Sequence, residues 1–73
     1  MIKKQQLLLT YSLSGINQGG VYYSDSIEVE YDESESIGRK SFFIYDALRN
    51  AHYKSTRDYL DISRFIIHCS IPL

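Results

Sequence analysis

The sequence lacks several features on which whole classes of protein depend. It has one cysteine, one proline and no tryptophan among 73 residues. A single cysteine excludes an internal disulfide framework and a cysteine-rich zinc site, and it favours an intracellular protein. The apolar run that follows Lys3 and Lys4 is broken at Thr10, too early for a signal peptide, and no run approaches the roughly 20 apolar residues of a membrane span. We therefore expect a soluble, cytoplasmic protein.

Metal ligands are equally scarce. The soft or imidazole ligands are His52, His68 and Cys69, and they show no repeated spacing. Because adjacent residues of a strand point to opposite faces, we expect an exposed His68 beside a core Cys69. This arrangement would prevent the two from binding a metal together or acting as a Cys–His pair.

Other catalytic motifs do not occur either. The segment GINQGG lacks the lysine and the following helix of a phosphate-binding loop. The acids of residues 32–35 lack the twelve-residue spacing and central glycine of an EF-hand. Nothing nearby would desolvate one carboxylate of a pair for acid–base chemistry. The sequence therefore predicts no enzyme, no cofactor and no metal site.

The composition is that of a folded protein, with 44% hydrophobic residues, seven tyrosines and three phenylalanines. A chain of this length buries only about 60% of its unfolded surface, so residues 1–73 are expected to form a single domain. One small core supplies about 3–5 kcal/mol of net stability. A dimer or a bound partner would therefore be a natural source of further support.

Two segments near the N-terminus have the two-residue period of strands. In residues 6–13 the odd positions are apolar, and Leu8 adds an apolar side chain to the other face, as in a central strand. Residues 14–20 carry three glycines and Asn17, which predicts a hairpin loop. In residues 21–31, Val21 and the later odd positions form a core face that Asp25 interrupts. We expect a bulge or bend near Asp25 and Ser26, in a strand at the edge of a sheet.

Residues 41–54 have helical spacing. Phe43 or Ile44, then Ala47, Leu48 and Ala51, recur on one side. Either Ser36 or Ser41 would cap the start of this helix. The pair Ser55 and Asp58 resembles a capping box, which predicts a further helical turn within residues 55–63.

Residues 64–73 predict a third strand, with Phe65, Ile67, Cys69 and Ile71 on its core face. The order ββαβ then gives an α+β domain, a three-stranded antiparallel sheet of order 2-1-3 with one main helix packed on one face. The opposite face would be bare. It would carry Leu8, Tyr22, Ile66 and His68, which are either scattered surface residues or a dimer or partner surface.

Charge is divided along the chain. Six acids occur between Asp25 and Glu35 without a cation, and basic residues follow. On a strand, Glu28, Glu30 and Asp32 would share one face at intervals of about 6.6–6.8 Å, comparable with phosphates along a nucleic-acid strand. Such a row either recognises a basic groove or simply prevents edge-to-edge aggregation.

These features favour a small non-catalytic protein that binds a larger protein partner, and inhibits or adapts it. A basic, nucleic-acid-binding protein is one class of partner that would fit. The predicted contact residues are Tyr22, Glu28, Glu30, Asp32, Glu33 and Glu35. Small inhibitors from phages and mobile elements, including anti-CRISPR proteins, are likewise small single-domain proteins, although this sequence shares no motif with them.

The alternative is a nucleic-acid-binding regulator that contacts phosphates through the basic helix region. Its residues would be Arg39, Lys40, Arg49, Lys54 and Arg57. Ordinary solvation of the helix also explains these side chains, and the sequence pI of about 6.0 argues against a nucleic-acid-binding surface.

Overall fold

A computed structural model describes residues 1–15 and 21–73 of the chain. The elements are β1 (Ile2–Leu13), β2 (Tyr23–Asp32), α1 (Ile37–Thr56), a short 3-10 helix (Ile62–Arg64) and β3 (Phe65–Pro72). The strands form one antiparallel sheet in the order β2-β1-β3. The predicted α+β fold with one main helix is confirmed.

β1 lies at the centre of the sheet because its odd positions are large and apolar. Leu7, Leu9, Tyr11 and Leu13 are all buried on the face that α1 covers. Burial of each such side chain is worth about 1.5–3 kcal/mol relative to exposure. The strand begins earlier than predicted, since Ile2 to Gln5 pair with the second half of β2. The remaining buried apolar residues are Ile27, Val29, Leu48 and Phe65.

α1 is longer at both ends than its apolar spacing predicted. Ser36 is the N-cap, and its hydroxyl accepts a hydrogen bond of 3.3 Å from the Arg39 N–H. The helix ends at Thr56, and the C-cap residue Arg57 has a left-handed φ of 65° and donates its N–H to the Tyr53 carbonyl. Ser55 lies in the last turn of α1 and donates to the His52 carbonyl, so it does not cap a new helix. The further helical turn predicted before the last strand does occur, as the 3-10 helix Ile62–Arg64, but it begins later than the pair Ser55 and Asp58 indicated.

Among the residues that the structure describes, the sheet contains one irregularity, and it lies in the pairing of β1 with β3. Tyr11 pairs with Ile67 whereas Thr10 pairs with Cys69, so His68 is the extra residue of a β-bulge. The bulge predicted near Asp25 is wrong, because β1 and β2 pair in continuous register there, with Leu9 opposite Asp25.

The bulge changes which face the end of β3 presents. Beyond it, Cys69 pairs with Thr10 and Ile71 pairs with Leu8, so both lie on the face opposite α1. Both are exposed, and the prediction that they belong to the core is wrong. Val21 was also predicted to be core but is exposed, since it precedes the start of β2.

Two further predictions are compared with the described residues alone. The predicted hairpin loop of residues 14–20 falls mostly outside the described residues, of which Gly15 has a positive φ of 145°. Within the described ranges, no helix has the length and apolar character needed to cross a membrane.

Candidate protein-binding surface

In residues 1–15 and 21–73, β2 pairs with β1 alone, so its other edge is open, and its backbone presents alternate residues to that edge. The Leu73 N–H donates to the Gln6 carbonyl across β1 and β3, and the Glu33 N–H donates to the Met1 carbonyl across β1 and β2. In an antiparallel strand the N–H and C=O of one residue point to the same neighbour, and successive residues alternate. Odd residues of β1 therefore bond to β2, and even residues bond to β3.

The pairing register between β1 and β2 shows which residues of β2 face β1 and which face the open edge. Leu7 pairs with Ile27, so the odd residues of β2 direct their backbone groups toward β1. The even residues direct theirs toward the open edge. These are Ser24, Ser26, Glu28, Glu30 and Asp32.

The same even residues carry their side chains on the face opposite α1, called here the outer face. Glu28, Glu30 and Asp32 stand opposite Gln6, Lys4 and Ile2 of β1. Glu33 and Glu35 follow in the turn that leads to α1. Together these five acids are called the acidic edge: Glu28, Glu30, Asp32, Glu33 and Glu35.

Three acids of this edge have a cation nearby. Lys4 lies 3.4 Å from Glu30, and the Met1 amino group lies 3.7 Å from Asp32. Glu35 forms the third pair, with Arg39, at 3.2 Å. The pair with Lys4 was not predictable from the sequence, because it depends on the register between β1 and β2.

The other two acids, Glu28 and Glu33, form no ion pair with any residue in the described ranges. The Glu28 carboxylate accepts a hydrogen bond from the Gln6 amide at 3.2 Å. Exposed ion pairs contribute only about 0–1 kcal/mol each. A partner bearing cations could therefore displace the pairs within this edge at little cost.

Asp32 fixes the shape of the turn that follows β2. One of its carboxylate oxygens accepts hydrogen bonds from the N–H and the hydroxyl of Ser34, at 3.0 and 2.9 Å. These bonds favour the charged form, so the Ser34 N–H first and then its hydroxyl lower the pKa of Asp32. The Glu35 N–H also donates to the Asp32 carbonyl. Asp32, the last residue of β2, thus orders the turn that carries Glu33 and Glu35.

Beside the acidic edge, the outer face carries an apolar region. Leu8 is half-buried, while Tyr22 and Ile66 are 63% and 44% exposed. The Tyr22 ring packs edge-on against His68 with centroids 5.1 Å apart, and His68 Nε2 lies 2.7 Å from the Ser12 hydroxyl. The four residues predicted to lie on the bare face therefore do so. The homodimer predicted through this face stays a prediction.

His68 and Cys69 lie on the same face, contrary to the prediction from strand alternation. The reason is the bulge, which places His68 against Ser12 and Cys69 opposite Thr10. In the part of the chain that the structure describes, no group of three His, Cys, Asp or Glu side chains is arranged to hold a metal ion.

A buried polar network on the opposite face was not predicted. The Tyr11 hydroxyl donates to Asp25 at 2.5 Å and lies 2.7 Å from His52 Nδ1. Since its hydrogen is directed to Asp25, the hydroxyl accepts from a protonated Nδ1. His52 is only 1% exposed and lies edge-on to the rings of Tyr11, Tyr23 and Phe65. The network ties α1 to both strands, and the one sequence signal for it was an acid on a core face.

The basic residues of the alternative hypothesis are spread along α1. Arg39 and Lys54 are separated by about 22 Å along the axis, given the helical rise of 1.5 Å per residue. Lys40 lies over the Tyr31 ring, at 5.2 Å from the centroid. Arg49 is paired with Asp46 and lies over the Tyr59 ring. The helix therefore does not gather these cations into one compact phosphate-binding site.

Similarity to known proteins is the remaining source of a functional assignment. No protein-family model, curated protein or solved structure matches this chain. Its function must therefore be inferred from the acidic edge, the outer face and the chemistry of their side chains.

Proposed function

We propose that this chain is a small non-catalytic protein-binding module of the cytoplasm, an inhibitor or adaptor that covers a basic surface of a larger partner. One observation carries the proposal. Glu28 and Glu30 present their carboxylates on the outer face of a strand whose edge is open, and the acids of the following turn continue that charge. The proposed contact residues are Tyr22 and the acidic edge.

Charge complementarity would act mainly on association. A concentrated row of carboxylates raises the encounter rate with a basic surface and selects against acidic partners. Tyr22 directly precedes β2, the strand that carries Glu28 and Glu30. It is largely exposed, as suits an aromatic contact residue. A nucleic-acid-binding groove is one such basic surface, because the alternate acids are spaced about as phosphates are.

Protection against aggregation explains only part of this arrangement. Charged side chains on an edge strand do prevent pairing with another strand. This role requires Glu28 and Glu30, which lie within β2, but it does not require Glu33 and Glu35, which lie beyond it. The continuation of the charge into a turn held by Asp32 and Ser34 therefore favours recognition.

The test is affinity capture from a lysate of the source organism with three baits. These are the wild type, the charge reversal Glu28→Lys/Glu30→Lys, and a control with the same charge change at exposed acids away from β2, Asp58→Lys/Asp61→Lys. The proposal expects the wild type and the control to retain a common basic protein that the edge reversal loses. Identical partner lists for all three baits would overturn it.

A gel-shift titration across salt concentrations addresses the alternative. Tight, salt-sensitive binding of the wild type to DNA or RNA would replace this proposal with a nucleic-acid-binding regulator. The proposal expects no such binding, since the acidic edge repels phosphates.

A further inference from the structure

A groove of about 370 Å³ lies between the edge of β2 and α1. Its strand side consists of Ser26, Ile27 and Glu28, which are consecutive. Consecutive residues alternate between the two faces of a sheet, so the groove is bounded by the edge of the strand rather than by one face. Its helix side is formed by Ala47, Asn50, Ala51 and Lys54. These four are one stripe of the helix, at the spacing i, i+3, i+4, i+7.

We infer that the partner binds through an extended segment that adds to β2 as a fourth, antiparallel strand, with lysine or arginine at alternate positions. The inference rests on the proposed function, because it specifies how the acidic edge would engage a basic partner. Addition of a strand to an open sheet edge combines backbone hydrogen bonds for affinity with alternate side chains for specificity.

The backbone alternation determines which residues of the added strand form hydrogen bonds with β2. Glu28 and Glu30 direct their N–H and C=O groups toward the open edge, as the register with β1 requires. A residue directly opposite either of them would exchange two hydrogen bonds with it, with Cα atoms about 5.5 Å apart. Side chains of such a pair lie on the same face of the sheet, so the partner residues opposite Glu28 and Glu30 would meet the two carboxylates.

The helix side of the groove determines which side chains fit at the positions of the bound segment between its basic residues. Side chains at the intervening positions would point to the other face of the sheet, toward α1. There Ala47 and Ala51 are small and leave room for an apolar side chain, while the exposed cation of Lys54 disfavours a second basic one. The expected recognition pattern is therefore basic, apolar, basic.

A second copy of this chain fits the same edge poorly. Antiparallel pairing of β2 with another β2 would bring two rows of carboxylates together, and like charges directly opposite each other destabilise a strand pair. The free edge of β3 fits a basic segment no better, because the strand Phe65–Pro72 contains no acid. A basic extended segment at β2 is therefore the occupant that the charges favour.

The test uses a synthetic peptide in which lysine and valine alternate, with binding to the wild-type protein measured by calorimetry. Two further peptides carry backbone N-methyl groups, one at the central lysines and one at the central valines. The inference expects methylation of the lysines to weaken binding about tenfold or more, since it removes the N–H groups that face β2. Methylation of the valines should change the affinity by less than about threefold, because their N–H groups face solvent.

Two protein variants provide a matched test from the other side. Glu28→Pro removes an N–H that faces the open edge and is not used by β1, whereas Glu28→Gln removes only the charge. Circular dichroism checks that both fold, and the methylated peptides test the wild type whatever the outcome. The proline variant should lose more peptide affinity than the glutamine variant.

The outcomes separate this inference from the proposed function. If the two methylated peptides bind equally, or the wild type binds none of the peptides, strand addition is wrong. A partner that is still lost on charge reversal of Glu28 and Glu30 would then leave the proposed function standing. Identical partner lists for the three capture baits would remove the proposed function, whatever the peptides show.

Discussion

The Tyr11 hydroxyl donates a hydrogen bond of 2.5 Å to the Asp25 carboxylate, across the interface of β1 and β2. This bond explains how a carboxylate occupies the core face of a strand without a bulge. Asp25 is half-buried, and a carboxylate in that position requires either solvent or hydrogen-bond donors; Tyr11 supplies the donor from the neighbouring strand. The same hydroxyl is bound by His52 of α1, so one atom connects three elements of the fold.

Replacing Tyr11 with phenylalanine should destabilise the protein. The variant Tyr11→Phe keeps the buried ring but leaves Asp25 and His52 without their shared partner. Loss of a partner for buried polar groups costs about 1–3 kcal/mol each. We expect the free energy of unfolding in urea to fall by an amount in this range. The control Tyr53→Phe removes an exposed hydroxyl and should change stability by less than about 0.5 kcal/mol. Equal effects of the two variants would contradict a stabilising network.

Tyr11 should also make stability depend on alkaline pH. Burial, and then the hydrogen bond and charge of Asp25, raise the pKa of Tyr11 well above its usual value. In the unfolded chain this tyrosine ionises near pH 10, while in the folded chain it stays neutral. Its contribution is therefore complete below about pH 10 and is lost as the pH rises further, with a slope of at most about 1.4 kcal/mol per pH unit.

Urea unfolding of the wild type and Tyr11→Phe at a series of pH values above neutrality measures this effect. The other six tyrosines are common to both proteins, so their contributions cancel. The stability difference between the two proteins should shrink above pH 10. A difference that stays constant, or grows, would be inconsistent with a raised pKa of Tyr11.

The sequence predicted the strand order because β1 has a complete odd-position core and Leu8 adds an apolar side chain to its other face. It could not predict the faces of β3. Phe65, Ile67, Cys69 and Ile71 alternate whether or not a bulge intervenes, and the bulge depends on pairing with Thr10 and Tyr11 of another strand. A shift of one residue in the register reverses every later side chain.

The exposure of Cys69 gives a direct test of this bulge. In the folded protein, a thiol reagent should modify Cys69 without denaturant, at a rate similar to that in the urea-unfolded chain. Cys69→Ser should change the free energy of unfolding by less than about 0.5 kcal/mol, as for other surface substitutions. Modification that requires denaturant would place Cys69 in the core, as uninterrupted alternation predicts.

The candidate site could be predicted in part. Alternation within residues 27–32 placed Glu28 and Glu30 on one face, since that needs only a regular strand. The ion pair of Glu30 with Lys4 and the groove beside α1 require the register and the position of the helix. His52 was not expected in the core because histidine is polar, although it follows Leu48 by four residues and so lies on the apolar side of the helix.

The start of α1 is the last point that the sequence left open, between Ser36 and Ser41. The Ser36 hydroxyl accepts from the Arg39 N–H, one of the free donors of the first turn, so Ser36→Ala should cost about 1 kcal/mol of stability. Ser41 is exposed within the helix, where alanine has the higher propensity, so Ser41→Ala should leave stability unchanged or raise it by up to about 0.5 kcal/mol. Thermal or urea unfolding of the two variants decides between them. A larger loss for Ser41→Ala would mean that the helix begins there and that the segment before it, which joins the acidic edge to α1, is not helical.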